Sequence, residues 1–145
     1  MKSVRRVGRK SAWLSLAAQF TACAPAISPF SSLAFQQATS LKVEALGVMS
    51  HATEAFSNHR EEVAVLVTNI EKAYEFARNR PQNDYSTKQW EKIKNPNANL
   101  LGGFLKRWEE QSALSRTFVD EAKGLVRDAF NEIIGLESGK GKPGQ

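Results

Sequence analysis

The sequence predicts an all-α fold: an antiparallel helical bundle built on one long heptad-patterned helix, with shorter helices returning along it. Three observations lead there. Apolar side chains recur at alternating three- and four-residue steps from Met49 to Ala77. A second, wider apolar stripe runs from Phe118 to Leu136. Between them, Pro81 and Asn95-Pro96 punctuate the chain where helices should end.

The long helix is expected over about residues 32 to 79. Met49, Ala52, Phe56, His59, Val63, Leu66, Ile70, Ala73 and Ala77 form its stripe, and Phe35, Ala38, Leu41 and Ala45 extend it upstream less regularly. Glu54, Arg60, Glu61, Lys72, Glu75 and Arg78 lie opposite. Unbroken, such a helix would be about 70 Å long, with Gly47 as a candidate bend. Arg78 and Arg80 suit its C-terminal dipole, and Pro81 stops it. Val63 to Val67 is β-prone in isolation, but the flanking heptads outweigh five residues of propensity. These valines are expected to be buried against two other helices.

A short helix should follow through Trp90 and Ile93, with Ser86 and Gln89 as a capping box. Asn97 or Asn99 could cap the next, through Leu100, Leu101, Phe104, Leu105 and Trp108. Ser115 is the expected N-cap of the last helix, with Asp120 and Glu121 in or near its first turn. That helix should bury Phe118, Ala122, Leu125, Ala129, Ile133 and Leu136, flanked by Val119, Val126 and Phe130. The folded domain is thus expected over 33–137, after a tether at 23–32 and before a frayed polar tail at 138–145.

The net charge of +5 is not spread along the chain. Lys2, Arg5, Arg6, Arg9 and Lys10 precede every acidic residue, the first being Glu44, and from residue 23 onward fifteen basic residues meet fifteen acidic ones. A nucleic-acid surface needs a standing excess of positive charge, so no nucleic-acid partner is expected. The basic start leads into Ala12-Trp13-Leu14-Ser15-Leu16-Ala17-Ala18-Gln19-Phe20, too short to span a bilayer, and then into Thr21-Ala22-Cys23-Ala24-Pro25-Ala26. This three-part order is that of a secretory signal, placed at 1–22.

The first two dozen residues resemble a bacterial lipoprotein precursor. Phe20-Thr21-Ala22-Cys23 matches the family's small-residue box in its last three positions, Phe20 standing where Leu is usual. The resemblance implies that Cys23, the only cysteine, is lipidated and becomes the new N-terminus. Three alternatives stay open. Ala24-Pro25-Ala26 could be cleaved to release a soluble periplasmic protein. Arg5-Arg6 is a weak twin-arginine signal, because Gly8-Arg9 replaces the apolar pair. The acid-free first 43 residues could be a mitochondrial presequence.

The chemical inventory is thin. His51 and His59 are eight residues apart, not the four that set two ligands on successive turns of one helix. On the apolar stripe, His59 is more simply a bonded core histidine than a metal or haem ligand. Gly102-Gly103 lacks a phosphate-loop pattern and reads as close packing or a bend at a helix start. Glu109-Glu110 and Asp120-Glu121 point about 100° apart within each pair and read as solvated charge. Trp90, Trp108, Tyr74 and Tyr85 are core or interface aromatics before they are a ligand site. No catalytic residue, metal ligand or cofactor is therefore expected. The expected function is a non-enzymatic, lipid-anchored envelope protein facing the periplasm. Cys23 would hold it to membrane lipid, and its helices would bind a protein partner or a second copy. The alternative is a periplasmic bundle that binds a small ligand or cofactor beside His59.

Overall fold

The computed structural model describes residues 27–140. The expected signal peptide, Cys23 and the first part of the expected tether lie outside the described residues, as do the residues beyond Lys140. Among the described residues all regular structure is helical: α1 Ser32–Ser50, α2 Arg60–Arg78, α3 Asp84–Lys94, α4 Leu101–Gln111 and α5 Arg116–Ser138, with a 3-10 turn at Phe56–Asn58. No helix among them is long and apolar enough to cross a membrane.

The single long helix of the sequence reading is two helices of 19 residues each. The break spans residues 51 to 59, not Gly47, which lies inside α1. Ser50, Thr53, Ser57 and Asn58 crowd this stretch, and such side chains compete with the helix for backbone hydrogen bonds. The Ser50 hydroxyl donates to the Leu46 carbonyl at 2.8 Å and accepts from Lys123 Nζ at 2.6 Å. The link is then tied to the far side of the domain. Leu114 N–H donates to Ala52 O at 2.7 Å, Phe56 N–H to Ser112 O at 2.7 Å, and Trp108 Nε1–H to Glu54 O at 3.0 Å. Met49, Ala52 and Phe56 stay buried through the break. The stripe therefore marks burial correctly while the helix axis does not continue.

One core holds the helices together. α5 packs chiefly on α1 and also on α3, α2 packs on α1 and α3, and α4 rests on α3 and the 3-10 turn. Ala38 and Ala45 on α1 are fully buried, and side chains this small let a neighbouring helix approach closely. Trp108 meets Phe56 edge-on at 5.3 Å, and Trp90 meets Phe130 likewise at 5.9 Å, a geometry that adds about 0.5–1.5 kcal/mol beyond area burial.

Several local expectations change. Val65 and Val67 are exposed, and of the β-prone run only Val63 and Leu66 are buried, so the run meets the core on one side and not on two. α3 begins at Asp84, before Ser86 and Gln89, so both are buried inside the helix and cap nothing. Neither Asn97 nor Asn99 caps α4, which starts after Leu100; instead Asn95 Oδ1 accepts from Asn97 N–H at 2.9 Å and shapes the turn. Ser115 does cap α5, its hydroxyl accepting from Phe118 N–H at 3.3 Å. Asp120 and Glu121 fall beyond that first turn. The buried line of α5 is Val119, Val126, Phe130, Ile133 and Glu137, and Leu125 is exposed, so the core face is rotated from the one expected.

Gly102 and Gly103 serve close packing. A Cβ on Gly103 would sit 1.8 Å from the Ala98 carbonyl oxygen, and one on Gly102 2.3 Å from that of Lys94. Only glycine lets the turn at residues 95 to 100 fold back on the start of α4.

Candidate functional site

Two polar clusters lie at opposite ends of α1. The first gathers where α1 ends and α2 begins. His51 and His59, eight residues apart in sequence, have ring centroids 4.6 Å apart. The Glu62 carboxylate reaches both, with Oε2 3.1 Å from His51 Nδ1 and 3.2 Å from His59 Nδ1. His59 Nε2 meets Glu54 Oε2 at 2.9 Å. His59 also leans on the buried Trp108 ring at 5.6 Å. The hydrogen bond to Glu54, opposed by partial desolvation and reinforced by Glu62, raises the His59 pKa above the usual histidine value. Eight residues would separate the two histidines along an unbroken helix. The turn at 51–59 brings them together.

His59 is thus a half-buried histidine between two carboxylates, its ring over the edge of the core. The aromatics beside it do not line a hollow. Trp108 and Phe56 are buried and fill the space against each other. The four aromatics singled out in the sequence are not brought together. Trp90 packs on Phe130, Tyr74 donates to Glu91 at 3.1 Å, and Tyr85 is exposed. Glu109, Glu110, Asp120 and Glu121 are exposed, Glu109 facing Arg60 at 3.4 Å.

The second cluster was missed in the sequence. Glu137, only 1% exposed, continues the apolar line of α5. Its carboxylate accepts from Lys140 Nζ at 2.6 Å, Arg80 Nη1 at 2.9 Å and Ser86 Oγ at 2.9 Å. Lys140, expected in a frayed tail, is buried and also donates to Ser86 Oγ at 3.0 Å and to Asn83 Oδ1. Burial works to raise the pKa of Glu137, but the hydrogen bonds from Lys140, Arg80 and Ser86 outweigh it and hold the carboxyl below its ordinary range. A serine beside a buried lysine has the outline of a nucleophile and its base. Here Glu137 accepts from both groups, so the hydroxyl proton points away from the lysine; burial lowers the Lys140 pKa, against the hydrogen bond and charge of Glu137 that raise it. The cluster is a clamp joining the start of α3 to the end of α5.

The entering chain joins this same end. Ser28 is buried, its N–H donates to Gln82 O at 2.9 Å, and Arg80 bonds the Pro29 carbonyl. The described part of the expected tether is therefore packed on the domain, up to Ser31, which caps α1 through Ala34 N–H at 3.2 Å.

Between α4 and α5 lies an open groove of about 640 Å³. Phe104, Phe118, Ala122 and Leu125 line it, with Lys106, Arg107, Glu110 and Glu121 among its polar lining. No protein-family model, curated protein or solved structure matches the chain.

Proposed function

We propose that this chain is a non-enzymatic, lipid-anchored module of a bacterial cell envelope, facing the periplasm, whose antiparallel helical bundle binds another protein. The observation that carries the anchor is positional: the sole cysteine, Cys23, ends a small-residue box behind a basic segment and a short apolar run. The order of contacts between α1 and α2 supports the antiparallel arrangement. His51 meets Glu62, Glu44 meets Asn69, and Pro29 meets Arg80. Four residues lie between Cys23 and Ser28, and the five steps reach at most about 18 Å. The Gln82 turn and the Glu137 clamp would then face the bilayer, with the histidine end held about 28 Å further out by the length of α1.

Binding is supported by the α4/α5 groove, whose lining of apolar and oppositely charged side chains suits an amphipathic partner helix. The anchor is tested by fractionation and palmitate labelling in a bacterial host. Wild-type protein should be labelled and sediment with membranes, and Cys23→Ser should be unlabelled. Unlabelled wild-type protein in the periplasmic fraction would contradict the anchor and favour the second reading, a periplasmic ligand-binding bundle released by cleavage after Ala26. The His51–His59 cluster is the specific feature that favours that second reading.

A further inference from the structure

We infer that His51, His59 and Glu62 form a binding site for one divalent transition-metal ion of the zinc type, with Glu54 as the outer partner of His59. The inference is independent of the membrane anchor. Its first support is distance. Ligands about 2.0–2.1 Å from a tetrahedral ion lie about 3.3 Å from one another. Glu62 Oε2 is 3.1 Å and 3.2 Å from the two Nδ1 atoms, so two edges of such a tetrahedron are already close to length. One ligand atom from each of the three residues falls within 4.8 Å of the others. Rotation of His51, whose side chain is 44% exposed, closes the remaining edge.

The second support is the partner on the other ring nitrogen. A metal-bound histidine nearly always donates its free N–H to a carboxylate or carbonyl, which sets tautomer and ring orientation. His59 offers Nδ1 to the site while Nε2 meets Glu54 Oε2 at 2.9 Å. The main chain of Glu54 is fixed in turn, its backbone carbonyl accepting from Trp108 Nε1–H. The third support is preorganisation. The segment carrying His51, Glu54 and His59 is pinned at Ala52, Glu54 and Phe56 to the α4–α5 corner and to Trp108. The ligands therefore come from backbone fixed for reasons of packing, which lowers the ordering cost of binding.

The donor set selects the ion. Two imidazoles and one carboxylate suit zinc, cobalt, nickel or copper, whereas calcium and magnesium take oxygen ligands. Three protein ligands leave a fourth position, on the solvent side, for water or for a donor from a bound partner.

The test uses the untagged full-length chain carrying Cys23→Ser, so that its one thiol cannot contribute. Zinc chloride is titrated by calorimetry at constant pH, and cobalt chloride by visible absorption. Saturation at one equivalent is expected, with cobalt bands of low coordination number that zinc displaces. His51→Ala and Glu62→Gln, at exposed positions, should keep the helical circular-dichroism spectrum and weaken binding more than tenfold. Glu54→Gln should weaken it by about 10–100-fold through the ring of His59. No saturable zinc binding, or unchanged affinity in any of the three variants, overturns the site.

Discussion

Removing the carboxylate of Glu137 should be among the most damaging single changes in this domain. Glu137→Ala deletes the acceptor for three donors and leaves Lys140 and Arg80, 7% and 13% exposed, facing each other without a counter-charge. Breaking one partner out of a buried ion pair costs about 3–5 kcal/mol, because the remaining charge keeps its desolvation penalty and loses its compensation. Lys140 retains Asn83 and Ser86 as acceptors and Arg80 can swing toward water, which favours the lower half of that range. For a domain of this size about 4 °C is lost per kcal/mol, so the thermal midpoint should fall by roughly 12 °C or more. Urea unfolding followed by circular dichroism measures the free energy directly. The companion variant is Glu137→Leu with Lys140→Met. Replacing buried charges by apolar groups is often neutral, and only Arg80 then keeps an unpaired charge, so the double variant should recover part of the loss. A cost below about 1 kcal/mol for Glu137→Ala, or no recovery in the double variant, would refute the clamp.

Four further outcomes follow from the same structure. The Glu137 carboxyl is held below its ordinary pKa, so its contribution is present above pH 4.5 and is lost as pH falls through the lowered folded-state value. Acid unfolding of the wild type should accordingly be steeper than that of Glu137→Gln, as read by stability measured from pH 6 down to pH 2. Gly103→Ala forces a Cβ onto the Ala98 carbonyl and should destabilise by about 1–3 kcal/mol despite its better helix propensity. Gly124→Ala, in α5 with nothing within 4 Å of the added carbon, should stabilise by about 0.5–1 kcal/mol, and the opposite signs are read in one set of melts. Ser112, at φ 66°, holds a left-handed backbone that a side chain disfavours while its carbonyl receives Phe56 N–H; Ser112→Gly should raise stability by about 1 kcal/mol in urea unfolding.

Helix content and most of the core were legible because burial leaves a period in the sequence. Val63, Leu66, Ile70, Ala73 and Ala77 were all placed correctly on that ground. Continuity was not legible. The stripe passes through Ala52 and Phe56 without a gap, and no proline or glycine marks the turn. Only the density of Ser, Thr and Asn between 50 and 58 signals it, and that signal is weak beside a regular stripe. The same reversal hides the site, since two histidines eight residues apart lie on different turns of one helix yet meet across a break. Glu137 was overlooked for a related reason. It follows Ile133 by four residues and so continues the buried line, but a charged residue next to a Gly- and Lys-rich end reads as solvent-facing. Its partners Arg80, Ser86 and Lys140 are distant in sequence or hidden in that end, and nothing local announces them.

The most direct test of the central claim, a membrane-tethered bundle, is the intact mass and N-terminal residue of the protein recovered from a bacterial envelope. The account predicts a chain beginning at Cys23 and heavier than its peptide mass by a covalent lipid. An unmodified chain beginning at Ile27, or an uncleaved chain beginning at Met1, would contradict it.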